Sequence, residues 1–280
     1  MPELPEVEVA RVNLMRWSRG QRVDEVRVLD PLAVRPKLST RPSDGGDEGL
    51  RGASGHAQDP VRRGKRIGWA FGDVALLMHL GMTGKLLRRP AAEAPPRHAR
   101  VGFRVGEWAV WFVDARRFGC VVPVDPARLV TRLSEGLGPD ATDAWWTAER
   151  LAAALAGRRA LKVALLDQRR IAGLGNIHAA EALFRAGVHP HATAQRLAHA
   201  DWERLLRAIQ EQLREALSIT QAEEVVYLTD GLSNPFQVYG RLGQPCLRCG
   251  APIVGDRAGG RATTWCPRCQ PAPTGRLRGG

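Results

Sequence analysis

Long apolar runs are missing from the sequence. No stretch approaches the ~20 apolar residues that a helix needs to cross a bilayer, so we expect no membrane association. The N-terminus carries Glu3, Glu6 and Glu8 in place of the basic opening of a signal peptide, and we therefore expect no export. These two absences together predict a cytoplasmic protein.

Lysine is scarce, although the chain is strongly basic. Lys37, Lys65, Lys85 and Lys162 are the only lysines among 41 basic residues, which exceed the 29 acidic residues and give a formal net charge of +12. A positive excess of this size favours a polyanionic partner such as nucleic acid, although a merely basic protein would also show it.

Cysteine is rare, and four of the five cysteines form two close pairs. Sixteen residues separate the C-x2-C pairs, which are Cys246, Cys249, Cys266 and Cys269. Without an export signal, this spacing predicts a four-thiolate zinc site rather than disulfides. Four thiolates close the coordination shell, so the zinc is structural. Arg261 follows two glycines where a hairpin would turn between the pairs, and either a phosphate contact or a solvated tip fits it.

The first half of the chain predicts one helix followed by β-structure. Residues 5–18 place Val7, Ala10, Leu14 and Trp17 at helical spacing. Short β-rich runs broken by glycine and proline then predict an antiparallel sandwich or barrel. These runs are Val23–Val28, Arg66–Phe71, Val74–Leu80, Arg100–Val105 and Trp108–Val113.

The second half predicts helices and then the cysteine module. Residues 145–217 are rich in alanine, leucine and arginine, with breaks at 173–175 and 187–190. We expect an exposed loop at 39–60, a linker at 136–144 and an irregular segment at 218–235. The predicted organisation is an N-terminal β-sandwich domain at 1–137, a helical domain at 145–235, a zinc hairpin at 236–270 and a disordered tail at 271–280.

Pro2 and Glu3 form a candidate catalytic pair. Removal of Met1 would expose the secondary amine of Pro2, which can attack an aldehyde-like sugar carbon and form an iminium. Glu3 is placed to act as a general acid or base. Taken alone, the same residues also fit an ordinary helix start.

Six motifs occur together in one order. They are the PELPEVE start, MHLGMTG at 78–84, DARRFG at 114–119, LLDQ at 165–168, GLGNI at 173–177 followed by EALF at 181–184, and the two cysteine pairs. The set, which runs from residue 2 to about 270, resembles the formamidopyrimidine-DNA glycosylase and endonuclease VIII family. The PELPEVE start is more similar to the formamidopyrimidine branch.

The resemblance implies an α+β multidomain fold and a repair activity. We expect an N-terminal helix with an antiparallel β-sandwich, a helical domain with a helix-two-turn-helix, and a terminal zinc hairpin. In the family, the N-terminal proline attacks C1′ of a damaged nucleotide flipped out of the duplex. Pro2 matches this nucleophile and Glu3 the assisting acid. The base leaves, and elimination of both flanking phosphates follows.

The resemblance also assigns DNA contacts, which we expect to be made by a monomer on damaged double-stranded DNA. Met82, Arg116 and Phe118 match the three side chains that fill the space of the flipped base, and we call them the insertion residues. Further matches concern phosphate and backbone contacts. Lys65, Asn176 and Arg261 match residues that bind the phosphates flanking the lesion. Lys162, His98 and Arg117 match residues that contact the DNA elsewhere.

Residues 217–234 depart from the family pattern. The formamidopyrimidine branch has a Gly/Thr-rich stretch with a lysine in the loop over the flipped base, whereas this chain has Glu223, Glu224 and Asp230 and no lysine. His178 stands where tyrosine is common. Oxidised purines such as 8-oxoguanine are the expected substrates. Oxidised pyrimidines, a non-catalytic lesion-binding protein and a general zinc-ribbon binder of nucleic acids are the alternatives.

Overall fold

The protein folds into two compact units. The computed structural model describes residues 2–38, 46, 49–218 and 234–272. The first unit comprises Met1–Glu135 and Leu217–Tyr227, and the second comprises Gly136–Ala216 and Leu228–Gly280. Among the described residues, no helix is both long enough and apolar enough to span a membrane.

The first unit begins with helix α1, Leu4–Ser18, which confirms the predicted helix. Pro5 lies in its first turn, where no backbone N–H is required. Val7, Ala10 and Leu14 are almost fully buried, because their spacing places them on one face of the helix.

Ten strands follow α1 among the described residues of the first unit. They are β1 (Arg22–Val23), β2 (Glu25–Val28), β3 (Gly55–His56), β4 (Val61–Arg63), β5 (Arg66–Phe71), β6 (Val74–His79), β7 (Lys85–Pro90), β8 (Ala99–Val105), β9 (Trp108–Val113) and β10 (Cys120–Val124). A short helix, α2 (Leu129–Ser134), ends this part of the chain.

Eight of these strands form the predicted antiparallel sandwich. One sheet has the order β10-β6-β5-β4 and the other the order β2-β8-β9-β7. Their inner faces share one core with α1. Trp69 of the first sheet meets Phe103 of the second edge to face, with ring centroids 5.3 Å apart. Burial of each such ring stabilises the sandwich by roughly 1.5–3 kcal/mol.

The sequence did not predict every strand. The run Val23–Val28 divides into β1 and β2, which pair with different partners. Strands β7 and β10 were not predicted, and β3 lies inside the stretch 39–60 that we expected to be a loop. Most of the early part of that stretch lies outside the described residues.

The described part of the second unit contains four α-helices in the segment that was predicted to be helical. They are α3 (Ala148–Ala154), α4 (Leu161–Leu166), α5 (Asn176–Ala186) and α6 (His199–Ser218). The predicted break at 173–175 is the turn before α5. Gly187 ends α5 in the left-handed region with φ +70°, a conformation that glycine adopts at little cost.

The zinc module of the second unit contains a β-hairpin, β11 (Val254–Ala258) and β12 (Arg261–Trp265). Gly259 and Gly260 make its turn with φ of +55° and +76°, as the sequence predicted. Ala180 and Phe184 of α5 pack against the cysteine cluster. The fold class expected from the sequence is thereby confirmed.

Candidate active site and zinc centre

The start of α1 holds Pro2 and Glu3. Both residues are buried, and Glu3 is 1% exposed. Glu3 and Glu6 form a capping box, in which the Glu6 carboxylate accepts a hydrogen bond from the Glu3 amide at 2.8 Å. Because a cap fixes the backbone at the first turn of a helix, the PELPEVE motif gives the Pro2–Glu3 pair a defined position.

Glu8 links α1 to the turn that carries Lys65. Its carboxylate pairs with the Arg62 guanidinium at 3.0 Å. Arg62 also donates to the main-chain oxygen of Gly64 at 3.0 Å. Gly64 has φ +55° at the tight turn between β4 and β5. Sequence reasoning gave no role to Glu8, which lies in the PELPEVE motif, or to Arg62, which lies three residues before Lys65.

His79 lies near the same turn in a neutral state. Burial, together with the nearby charges of Lys65 and Arg66, lowers its pKa to about 4. Its Nδ1 accepts a hydrogen bond from the Gly81 amide at 3.1 Å. An uncharged imidazole can accept in this way, whereas an imidazolium cannot. His79 therefore fixes the loop that carries Met82.

The insertion residues lie at the surface of the first unit. Met82 is half-buried, Arg116 is exposed, and Phe118 is 50% exposed. The guanidinium of Arg116 lies over the Phe118 ring, 4.8 Å from its centroid. The Phe118 ring is therefore accessible to another molecule, as an insertion residue requires.

His98 and Arg117 are exposed residues in the left-handed backbone region, with φ of +65° and +58°. This conformation is unfavourable for a side chain with a Cβ and persists only where neighbours hold it. The His98 carbonyl accepts from the Asp114 amide at 3.1 Å. The Arg117 carbonyl accepts from Arg35 at 3.2 Å, and its side chain pairs with Asp30 at 2.9 Å.

In the second unit, Lys162 and Asn176 converge on the zinc hairpin. Asn176, the first residue of α5, donates from Nδ2 to the Ala262 carbonyl oxygen at 3.0 Å. Lys162 is fully buried, and its Nζ lies 3.4 Å from the same oxygen. Arg261 is exposed beside this anchored residue. The structure thus brings Lys162, Asn176 and the Arg261 hairpin together.

Two further motif residues shape this region, and sequence reasoning gave them no role. Gln168 accepts from the Gly173 amide at 2.9 Å and donates to the Leu174 carbonyl at 2.8 Å, which fixes the turn before α5. Glu181 is buried and accepts from the amides of residues 237, 238 and 239 at 2.8–2.9 Å. It therefore fixes the chain that leads into the zinc module.

The four paired cysteines form one cluster. Their sulfur atoms all lie within 4.8 Å of one another. Burial raises the pKa of the Cys266 and Cys269 thiols, so these thiols keep their protons until a cation displaces them. A hydrogen bond from the Ala251 amide, together with hydrogen bonds from the other three cysteines, lowers the pKa of Cys249 to about 7. Four convergent sulfur ligands fit a tetrahedral, closed zinc site.

Some of the expected features lie outside the described residues. The divergent loop over the flipped base falls almost entirely within 219–233, and most of the expected tail within 273–280. His178 is buried on α5, and its Nδ1 lies 3.4 Å from the Gln212 side-chain nitrogen.

The architecture and the site define a class of DNA-acting enzyme. Three family models match the chain in order: the formamidopyrimidine-DNA glycosylase N-terminal domain over residues 1–121, its H2TH domain over 137–225, and the zinc finger found in FPG and IleRS over 243–272. The chain belongs to the formamidopyrimidine-DNA glycosylase family. It is a base-excision-repair DNA glycosylase with one structural zinc site.

Individual relatives agree with this assignment. A formamidopyrimidine-DNA glycosylase of Desulfitobacterium hafniense is 35% identical over 283 residues, which cover 96% of this chain and all of the relative. A Lactococcus lactis variant solved with Fapy-dG-containing DNA is 27% identical, with a TM-score of 0.84, and covers 97% of this chain and 100% of its own. A MutM complex with carbocyclic 8-oxo-G-containing DNA is 28% identical, with the same TM-score and the same coverage of both chains.

Proposed function

We propose that this glycosylase removes oxidised purines, including 8-oxoguanine and formamidopyrimidines, from double-stranded DNA and then cleaves the strand. The buried Pro2–Glu3 pair at the capped start of α1 carries the proposal. Two relatives of known structure support the substrate class, because their bound DNA contains Fapy-dG in one case and an 8-oxo-G analogue in the other.

Pro2 is the nucleophile of the proposed reaction. Once Met1 is removed, the proline nitrogen attacks C1′ of the lesion nucleotide, and the bond from C1′ to the base breaks. Glu3 supplies a proton that assists opening of the sugar ring, and the sugar stays on Pro2 as an iminium. The iminium acidifies the neighbouring C–H bond, so that β-elimination and then δ-elimination release the two flanking phosphates.

Lys65, Asn176 and Arg261 bind the phosphates beside the lesion in this proposal. Their positive charges and amide donors suit phosphate oxygens. Fixing the backbone on both sides of the sugar orients C1′ for attack. Lys65 and Arg261 also assist proton transfer during the eliminations in this proposal. His98 and Arg117 contact the DNA backbone further along the strand.

Lys162 supports the phosphate contacts from within the second unit. The resemblance implies a direct backbone contact for this lysine. Its fully buried side chain, with Nζ 3.4 Å from the Ala262 carbonyl, favours a role through the Arg261 hairpin. Action as a monomer in the cytoplasm stays a prediction from the sequence.

A comparison of lesions tests the proposed substrate class. Single-turnover base release is measured on duplexes carrying 8-oxoguanine or formamidopyrimidine opposite cytosine, and on a duplex carrying an oxidised pyrimidine. We expect faster release of the purines and its loss in Glu3→Gln. Faster release of the pyrimidine would move the chain to the endonuclease VIII-like alternative. Lesion binding without release of any base would identify a non-catalytic lesion-binding protein.

A further inference from the structure

Two loops that are distant in sequence carry the insertion residues. Loop 80–84 connects β6 to β7 and carries Met82, and loop 114–119 connects β9 to β10 and carries Arg116 and Phe118. Strand β6 pairs with β10, and β7 pairs with β9. Each loop therefore connects one sheet of the sandwich to the other, and the strands that it connects are neighbours of those connected by the other loop. Both loops lie at the same end of the sandwich.

Asp114 joins the two loops. Its side chain is fully buried. Oδ1 accepts hydrogen bonds from the Thr83 hydroxyl at 2.5 Å and from the Arg116 amide at 3.2 Å. Oδ2 accepts from the Gly119 amide at 2.7 Å. A buried carboxylate is costly unless donors surround it, and here the donors come from both loops.

The loops also touch through their backbones. Gly81 has φ +63°, and a Cβ at this position would lie 2.3 Å from the amide nitrogen of Gly119. Arg35, which is 7% exposed, donates to the carbonyls of Arg117 and Gly119 at 3.2 and 3.1 Å. Arg35 thus binds two carbonyl groups of loop 114–119, and Asp114 binds two of its amides. The Phe118 ring of the same loop stays exposed.

We propose that Asp114 and Thr83 are positioning residues for the entry of the insertion residues into the DNA duplex. Their hydrogen bond holds the two loops in one arrangement, which presents Met82, Arg116 and Phe118 together. This inference rests on the proposed function. Preorganised side chains enter the duplex without first losing loop entropy. If the hydrogen bonds between the loops were lost, the three insertion residues would remain, but they would no longer be positioned together to fill the space that the flipped base leaves.

The Thr83 hydroxyl offers a sharp test because it can be removed alone. Thr83→Val keeps the shape and removes the donor to Asp114, whereas Thr83→Ser keeps the donor. Asp114→Asn provides a second variant. Asp125→Asn is its matched control, since Asp125 also caps a turn of the first unit, accepting from the Ala127 amide at 2.8 Å.

Two reactions distinguish a defect in the entry of the insertion residues into the duplex from a general loss of enzyme activity. Excision of 8-oxoguanine from a duplex requires the stack to be opened, whereas cleavage of a single strand with a preformed abasic site does not. We expect Thr83→Val to slow duplex excision about 10-fold, the effect of losing one hydrogen bond to a charged acceptor. Single-strand cleavage should stay within about twofold, and Thr83→Ser should restore excision.

The inference also predicts coupling between Thr83 and the insertion residues. In a Phe118→Ala background, Thr83→Val should slow duplex excision much less than it does in the wild-type chain. The reason is that the ring whose position depends on the Thr83–Asp114 hydrogen bond is already missing. Equal rates for Thr83→Val and wild type, or equal slowing of both reactions, would overturn the inference. A wild-type chain that releases no base from any duplex would overturn the proposed function itself.

Discussion

Asn176 donates a hydrogen bond to the main-chain oxygen of Ala262, 3.0 Å away, although 86 residues separate them. The Nζ atom of Lys162 lies 3.4 Å from the same oxygen in a buried position. The neighbour of Ala262 is Arg261, which the proposed function places on a phosphate. One carbonyl therefore couples the start of α5, the only lysine of the second unit and the arginine hairpin.

Lys162→Met is predicted to weaken DNA binding through Arg261. The variant keeps the volume of the side chain and removes its donor, so the hairpin loses an anchor at a cost of about 1–3 kcal/mol. Titration with lesion duplex at several salt concentrations measures the effect. Lys37→Met removes an exposed lysine charge in the first unit and serves as the control.

A double-mutant cycle with Arg261→Gln separates the two roles of Lys162. If Lys162 acts through the hairpin, the two substitutions cost less together than the sum of their separate costs. The costs would instead be additive if the lysine contacts phosphate directly. In that case the slope of log K against log salt concentration would also fall by a further ~1 when Lys162 is lost.

Zinc removal is predicted to weaken DNA binding and to be easier at low pH. Burial raises the pKa of Cys266 and Cys269, so protons compete with the metal, and zinc affinity falls as pH falls. Chelator titrations at pH 6, 7 and 8 with a zinc-release dye measure this trend. Full DNA affinity after verified zinc loss would contradict the anchoring role of the hairpin.

His79 is predicted to make the first unit less stable in mild acid. Its pKa is about 4 in the folded chain, against an ordinary 6.5. Between these values the unfolded chain binds the proton more readily, so stability falls as pH is lowered from 6.5 to 4 and is unaffected above 6.5. The full loss is about 3 kcal/mol.

Urea unfolding of His79→Asn as a function of pH tests this prediction. Asparagine keeps an acceptor for the Gly81 amide and removes the titrating group, so the decline between pH 6.5 and 4 should flatten. His56→Asn changes an exposed histidine and should leave the decline unchanged. An identical decline in His79→Asn and wild type would show that other groups cause it.

Local patterns explain why part of the fold could be predicted. Helix α1 combines a 3.6-residue apolar period with proline at its start and glycine beyond its end. Strand β9, Trp108–Val113, consists of β-forming tryptophan, valine and phenylalanine residues apart from Ala109. By contrast, β7 contains two arginines and a proline, and β10 contains Pro123, which an edge strand tolerates.

The site was predicted unevenly for a similar physical reason. The resemblance assigned roles to Pro2, Glu3 and the insertion residues by their motifs, and these roles stay predictions. The contacts that hold them, such as Asp114 with Thr83 and Lys162 with Ala262, join residues 31 and 100 positions apart. Only the folded chain brings such partners together, so no local pattern predicts them. The four cysteines were predicted because metal geometry restricts their spacing.

Borohydride trapping tests the central claim most directly. The Met-free protein is incubated with a duplex carrying one 8-oxoguanine opposite cytosine, reduced, digested and analysed by mass spectrometry. The account predicts a covalent DNA adduct on the nitrogen of Pro2, and its loss in Pro2→Gly, which should still bind the duplex. An adduct on a lysine, or unchanged base release by Pro2→Gly, would contradict the assignment of Pro2 as the nucleophile.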